Sequence, residues 1–76
     1  MKMKFRDATD ELLESVSHEK LAKALGVSVA TVRQARLPDG AKAHRSPPEG
    51  WEAAVLRLAR QRADHFKQLV VRLEGR

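Results

Sequence analysis

The side chains with the clearest chemical capacity are long polar groups in one short stretch of the chain. Arg33, Gln34 and Arg36 lie within four residues of one another, and each carries hydrogen-bonding groups far from the backbone. On an exposed helix face such side chains can reach the edges of nucleic-acid bases. Each of them alone is also typical of a solvated helix face. Whether these side chains bind nucleic acid or only face solvent therefore depends on the secondary-structure elements that position them.

Enzymatic chemistry has little support in this sequence. His18, His44 and His65 are far apart and lack metal-ligand spacing, and a zinc site would need more donors. Residues 38–40 (Pro-Asp-Gly) are a turn signal rather than a glycine-rich phosphate loop. A chain of 76 residues also has little room to enclose a substrate pocket. We expect no enzyme activity, no metal or other cofactor, and no small-molecule ligand.

A set of helix start and stop signals precedes the polar stretch. Ser17 is a candidate N-cap, and Val16 before it and Leu21 four residues after it form a hydrophobic staple. Leu21 and Leu25 lie at helical spacing, which predicts one short apolar face. Gly26 then follows as the residue that can adopt the positive φ of a helix end. These signals predict a short helix from residue 18 to residue 25.

The same signals repeat immediately afterwards. Ser28 can cap a second short helix, with Val27 and Val32 as its staple. Leu37-Pro38 ends this helix, because the residue before a proline disfavours the α conformation. Two short helices joined by a tight turn are the layout of a DNA-binding helix-turn-helix, whose second helix enters the major groove.

Residues 17–37 resemble the helix-turn-helix of phage repressor and Cro-like regulators. The shared pattern is a small residue, Ala22, a glycine four positions later between apolar residues, Leu25-Gly26-Val27, and a β-branched residue in the second helix, Val32. His18 stands where the family often has a phosphate-binding glutamine, which is a departure from the pattern. The resemblance implies a DNA-binding domain whose first helix supports the motif. The long C-terminal helix is not part of the common core of that family.

The resemblance also implies which side chains meet double-stranded DNA. Arg33 would contact guanine and Gln34 adenine through paired hydrogen bonds, and Val29 or Ala30 would touch a thymine methyl group. The residues expected to read bases are Arg33, Gln34, Ala30 and Val29, and those expected to hold the DNA backbone are Ser28, Thr31, Arg36, Lys42, Arg45 and His18. For Lys42 and Arg45 a flexible polar linker is the alternative.

The N-terminal segment predicts a further helix that supports the motif. Asp7 or Thr9 is expected to cap it, and it is expected to end near Val16. Residues 1–6 are expected to be loosely ordered, with Phe5 folding back onto the core.

Beyond the motif, residues 38–50 predict a loop that is rich in proline and glycine. Its last residues, Ser46-Pro47-Pro48-Glu49, are expected to start a helix with a capping box. Residues 51–73 contain no proline or glycine and predict a helix roughly 30–35 Å long. The fold class is therefore expected to be all-α, with about four helices in a single domain covering residues 1–76.

An apolar stripe along the C-terminal helix extends beyond what three short helices need for a core. Residues 51–58 are expected to pack on the helix-turn-helix, with Trp51 in the core rather than stacked on a base. The residues expected to form a dimer surface are Phe66, Leu69, Val70 and Leu73. A two-fold dimer would place two recognition helices about 34 Å apart on a palindromic or pseudo-palindromic site. The alternative is that the whole stripe folds onto its own subunit.

Composition and charge are compatible with a small DNA-binding protein. The chain has no cysteine and a net charge of +5, and residues 18–45 hold six basic and two acidic residues, net +4. Such a basic segment favours polyanions, although it also suits a merely soluble surface. No long apolar run or leader pattern is evident, so we expect a cytoplasmic location and no membrane partner.

These observations predict a homodimeric, sequence-specific transcriptional regulator of prokaryotic or phage type. A repressor or autoregulator that occludes a promoter is the simplest mode of action. The alternatives are a protein-interaction module that uses the same scaffold, or a non-specific architectural DNA-binding protein. An activator that touches polymerase directly is the alternative mode of regulation.

Overall fold

The all-α prediction is confirmed by the computed structural model, which describes residues 3–75. Within that range there are four α-helices and no strand: α1 (Phe5–Leu12), α2 (His18–Leu25), α3 (Val29–Ala35) and α4 (Trp51–Glu74). The expectation that residues 1–6 are loosely ordered is wrong for Phe5 and Arg6, which belong to α1. For Met1 and Lys2 the expectation falls outside the described residues. No helix between residues 3 and 75 is long and apolar enough to cross a membrane.

The core forms where α1, α2 and α3 meet the first half of α4. Leu21 of α2 and Val32 of α3 are fully buried at its centre. The buried apolar cluster consists of Leu12, Val16, Leu21, Ala22, Val32, Val55 and Leu58. These residues come from all four helices and from the turn after α1. The hydrophobic effect therefore holds the motif against α1 and α4 through one shared core.

The predicted start of α1 is wrong. The helix begins at Phe5 after Lys4, with no side-chain cap, rather than at Asp7 or Thr9. Thr9 lies inside the helix and is fully buried, and its hydroxyl donates a hydrogen bond to the Phe5 carbonyl at 2.7 Å. Phe5 is buried, and its ring meets the Trp51 ring edge-on with centroids 5.2 Å apart. This apolar contact extends the helix toward the N-terminus and confirms that Phe5 packs into the core beside Trp51.

The predicted end of α1 near Val16 is also too late. The helix ends at Leu12, and a turn over residues 13–15 follows it. In this turn the Ser15 N–H donates to the Leu12 carbonyl at 3.1 Å, a tighter i to i−3 bond. Val16 is nevertheless buried, because it packs directly before the N-cap of α2 as the staple requires.

The caps predicted for the two motif helices are confirmed. The Ser17 hydroxyl accepts from the Lys20 N–H, and the Ser28 hydroxyl accepts from the Thr31 N–H, each at 3.1 Å. Gly26 has φ of 73°, and the Val27 N–H donates to the Ala22 carbonyl at 3.0 Å. This bond and the Gly26 conformation make a Schellman motif at the end of α2. The turn direction between α2 and α3 is thereby fixed by backbone geometry.

The capping box predicted before α4 is wrong, whereas the helix itself is confirmed. Gly50 precedes the helix with φ of 80° and no side-chain cap, and the Trp51 N–H donates to the Pro48 carbonyl at 3.2 Å. A glycine turn therefore takes the place of the expected Ser46 and Glu49 pairing. The helix has 24 residues, which corresponds to about 36 Å.

The second half of α4 extends beyond the core. Its last buried residue is Leu58, and residues 63–75 are all exposed. The radius of gyration is 14.5 Å, and the longest dimension is 54 Å. A compact chain of this length would have a radius of gyration of about 11 Å. The helix therefore presents its C-terminal half to solvent in the single chain.

Gly26→Ala tests the importance of the turn. Because an L-residue with a side chain is strained at positive φ, we expect the free energy of unfolding to fall by about 1–2 kcal/mol. No heavy atom lies within 4 Å of an added Cβ, so backbone strain alone would cause the loss. Chemical denaturation measures it, with Gly40→Ala in the open loop as the matched control. Equal stability of the two variants would contradict this role of Gly26.

Candidate nucleic-acid interface

The outward face of α3 carries the expected polar side chains. Ala30 and Arg33 are exposed, Gln34 is half-buried, and Leu37 just after the helix is exposed. Val32 and Ala35 are buried on the opposite face. The helical periodicity therefore separates a packing face from a face that is free to meet a ligand.

Val29 does not share this free face. It is half-buried and packs against the core cluster. Ala30, one position later, is exposed. Of the two residues expected to touch a thymine methyl group, Ala30 is therefore the one with an accessible side chain. The sequence alone left this choice open, because both side chains are small and apolar.

The hydroxyl groups at the start of α3 are partly occupied by the helix cap. The Ser28 and Thr31 hydroxyl oxygens lie 3.0 Å apart, which fits a mutual hydrogen bond, and Ser28 also accepts from the Thr31 N–H. Ser28 is exposed and Thr31 half-buried. In this bond one hydroxyl donates its proton to the oxygen of the other. The proton of the accepting hydroxyl therefore remains available for a hydrogen bond to a phosphate oxygen.

The basic loop is attached to the end of α3. The Arg45 backbone N–H donates to the Gln34 carbonyl at 3.2 Å, and the His44 N–H donates to the Ala41 carbonyl at 3.1 Å. The His44 ring nitrogen lies 3.5 Å from an Asp39 carboxylate oxygen. Lys42 and Arg45 are exposed. These contacts bring the exposed charges of the loop beside the polar face of α3, and they argue against a wholly flexible linker.

Arg36 has a role that the sequence analysis did not identify. Its Nε donates to the Thr9 hydroxyl at 3.0 Å, and its guanidinium forms an ion pair with Asp10. Its side chain is 22% exposed. The guanidinium is thus engaged with α1 and is not free to contact a DNA phosphate as the sequence predicted. It positions the end of α3 instead. The sequence feature that could have indicated this contact is Thr9, a threonine on the apolar face of α1, next to Asp10.

Arg33 is in a different state from Arg36. It is exposed, and it forms no ion pair with any of residues 3–75. Lys20 and Lys23 of α2 are exposed and add positive charge within the motif, and the sequence alone did not single them out. His18, the first residue of α2, is half-buried. The surface around α3 therefore holds free cations that can meet an anionic ligand.

The apolar stripe at the end of α4 does not fold onto its own subunit. Phe66, Leu69, Val70 and Leu73 are 46%, 37%, 51% and 59% exposed. The intrasubunit alternative for these four residues is therefore wrong. Trp51, in contrast, packs against the core cluster, as expected.

No family model, no curated protein and no solved structure matches this chain. The resemblance to repressor and Cro-like regulators thus stays a prediction from the residues of the motif.

Thr9→Val tests whether Arg36 ties α3 to α1. The substitution keeps the shape but removes the buried acceptor of the Arg36 Nε, so we expect a loss of about 1–3 kcal/mol in unfolding free energy. Thr31→Val is the matched control. The Thr31 hydroxyl contacts Ser28 at a more accessible position than that of Thr9, so water can replace this contact when it is lost. Denaturant titration of both variants gives the comparison. Losses of the same size would show that the Arg36–Thr9 contact is not important for stability.

Proposed function

We propose that this protein is a cytoplasmic, homodimeric, sequence-specific DNA-binding regulator of transcription. The observation that carries the proposal is the exposed Arg33 on a short helix whose angle to α2 is fixed by a Schellman turn. Binding of DNA in the major groove needs a rigid helix with free polar side chains on its outer face. Both properties are present in α3.

Base reading is assigned to α3. Arg33 can form two hydrogen bonds with guanine, and Gln34 can form two with adenine. Gln34 is half-buried, and only its backbone carbonyl is used by the loop. Its side-chain amide therefore keeps its hydrogen-bonding capacity. Ala30 supplies an apolar contact for a thymine methyl group.

Phosphate binding is assigned to the residues around α3. Lys42 and Arg45 in the loop are exposed cations, and Ser28 and Thr31 offer a hydroxyl proton at the helix start. His18 is a weaker candidate, because it contributes a charge only when protonated. Contacts of this kind hold the register of the protein on DNA but do not select sequence.

Dimerisation is assigned to the exposed stripe of α4. Four large apolar side chains in adjacent turns are typical of an interface. A two-fold dimer binds a palindromic or pseudo-palindromic site, and it doubles the contacts available from a short motif. Occlusion of a promoter is the simplest regulatory mode of such a dimer, and an activator that touches polymerase is the alternative mode.

The same stripe supports a second candidate function, a protein-interaction module in which the basic surface is incidental. The salt dependence of binding distinguishes these two candidate functions. Phosphate contacts release counterions, so DNA affinity falls steeply as salt rises, whereas an apolar helix contact does not weaken in this way. Selection of ligands from a random duplex library at two salt concentrations distinguishes a specific regulator, an architectural DNA-binding protein and a module that binds no DNA.

Arg33→Ala is expected to lower affinity for the selected site by about 1–3 kcal/mol and to relax one base preference. The reason is the loss of a bidentate contact to one base pair. Fluorescence anisotropy with the selected duplex and with single-base variants measures both effects. Arg57→Ala, which removes an exposed arginine of α4, is the control. If Arg33→Ala weakens selected and random duplexes equally, Arg33 does not read a base.

Lys42→Ala and Arg45→Ala are expected to weaken binding to all duplexes alike. Each substitution removes one phosphate contact, so the slope of log affinity against log salt should shrink by about one. Anisotropy titrations over a salt series give the slope. Lys67→Ala, an exposed lysine far along α4, serves as the control. An unchanged slope for both loop variants would place the loop outside the interface.

A further inference from the structure

A cleft lies between α1 and the first half of α4. It has a volume of about 650 Å³. Its α1 side includes Ala8, Glu11 and Leu12, and Met3 lies at one end. Met3 is 49% exposed and Leu56, on the α4 side, is 50% exposed. A mainly apolar cleft that holds two large exposed side chains is a candidate docking surface.

The floor of the cleft continues directly into the exposed stripe. The residues concerned alternate at spacings of three and four along α4: Glu52, Val55, Ala59, Arg62, Phe66, Leu69 and Leu73. The first four line the cleft, and the last three are exposed. This spacing is the a/d pattern of helices that pack side by side. We call this continuous face the α4 seam.

The junction of the two halves lies at Arg62. Its guanidinium stands over the Phe66 ring, 5.2 Å from the centroid. Its Nε is buried and finds no hydrogen-bond acceptor among residues 3–75. The cation–π contact therefore links the last residue of the cleft floor to the first residue of the exposed stripe.

We infer that the occupant of the cleft is a second copy of the chain, bound so that the two α4 helices run antiparallel along the seam. The C-terminal half of each α4 then fills the cleft between α1 and α4 of the other copy. This inference deepens the homodimer of the proposed function and does not depend on DNA binding. It makes α1 part of the dimer interface.

The size of the side chains supports this arrangement. In the cleft the seam contributes the small Ala59. The exposed half of the seam contributes the large Phe66, Leu69 and Leu73. An antiparallel pair that places Phe66 opposite Arg62 brings Leu69 of one copy against Ala59 of the other and Leu73 against Val55. A parallel pair would place Ala59 against Ala59 and leave both clefts unfilled.

Charge favours the same direction. Glu11 and Glu52 line the cleft, and neither forms an ion pair within residues 3–75. Arg72 is exposed near the other end of α4. When a positions face d positions of an antiparallel partner, Phe66 lies opposite Arg62, and Arg72 of the second copy comes within about one turn of Glu52. Parallel pairing would instead place Glu52 opposite Glu52 and Arg62 opposite Arg62, which is repulsive.

The first test blocks the cleft without changing the exposed stripe. Ala59→Arg places a bulky charge on the cleft floor, and Ala53→Arg makes the same change at another exposed alanine of α4 that does not line the cleft. Burial of an unpaired charge at the interface should raise the dimer dissociation constant of Ala59→Arg by at least about tenfold. Ala53→Arg should match the wild type. Sedimentation equilibrium measures the constants, and circular dichroism checks folding.

The second test determines the direction of the helices. The chain has no cysteine, so single cysteines report unambiguously. In the antiparallel dimer the two copies of residue 63 meet near the two-fold axis, and the two copies of residue 73 are separated by about 27 Å. Under mild oxidation Ala63→Cys should therefore form a disulfide-linked dimer and Leu73→Cys should not.

Three results would overturn the inference: equal dissociation constants for Ala59→Arg and Ala53→Arg, crosslinking of Leu73→Cys but not of Ala63→Cys, or a wild-type chain that stays monomeric at all concentrations. DNA affinity in the same samples separates this failure from failure of the proposed function. Ala59→Arg should retain Arg33-dependent binding to a duplex with one half-site, and it should lose the added affinity of two half-sites. If the wild-type chain shows no Arg33-dependent binding to a duplex, that result would instead contradict the DNA-binding proposal.

Discussion

The glycine turn at the end of α2 determines how the motif and the core assemble. Gly26 takes a left-handed conformation, and the Val27 N–H closes the turn on the Ala22 carbonyl. Ser28 can then cap α3 only two residues later. This backbone geometry brings Leu21 and Val32 together in the centre of the core, with both side chains fully buried. The direction in which α3 presents its outer face follows from that turn.

A second set of contacts holds α3 at its other end. Arg36 binds Thr9 and Asp10 of α1, and the Gln34 carbonyl accepts from the Arg45 N–H of the loop. α3 has only seven residues and would not be stable alone. Its rigidity comes from the core below it and from these polar contacts beside it. Three arginines close in sequence therefore have different roles. Arg36 positions the helix, whereas Arg33 and Arg45 remain free for a ligand.

Local signals were sufficient to predict the motif and its caps, because Ser17, Gly26 and Ser28 act within a few residues of themselves. Long-range contacts were not predictable from such signals. The start of α1 depends on Phe5 meeting Trp51 across the core, and the engagement of Arg36 depends on Thr9, which lies 27 residues away. The predicted capping box before α4 failed for another reason. The capping box and the glycine turn are two helix-start signals in neighbouring residues. The glycine turn forms there, and the capping box therefore does not.

We expect the outer face of α3 and the loop beside it to contact DNA. The most direct measurement is an NMR titration of the isotope-labelled protein with a duplex, with backbone amide shifts recorded residue by residue. Such contact should produce the largest shifts at residues 28–34 and 41–45, with small shifts in the second half of α4. Shifts concentrated on Phe66, Leu69 and Leu73, or no shifts with any duplex, would contradict it.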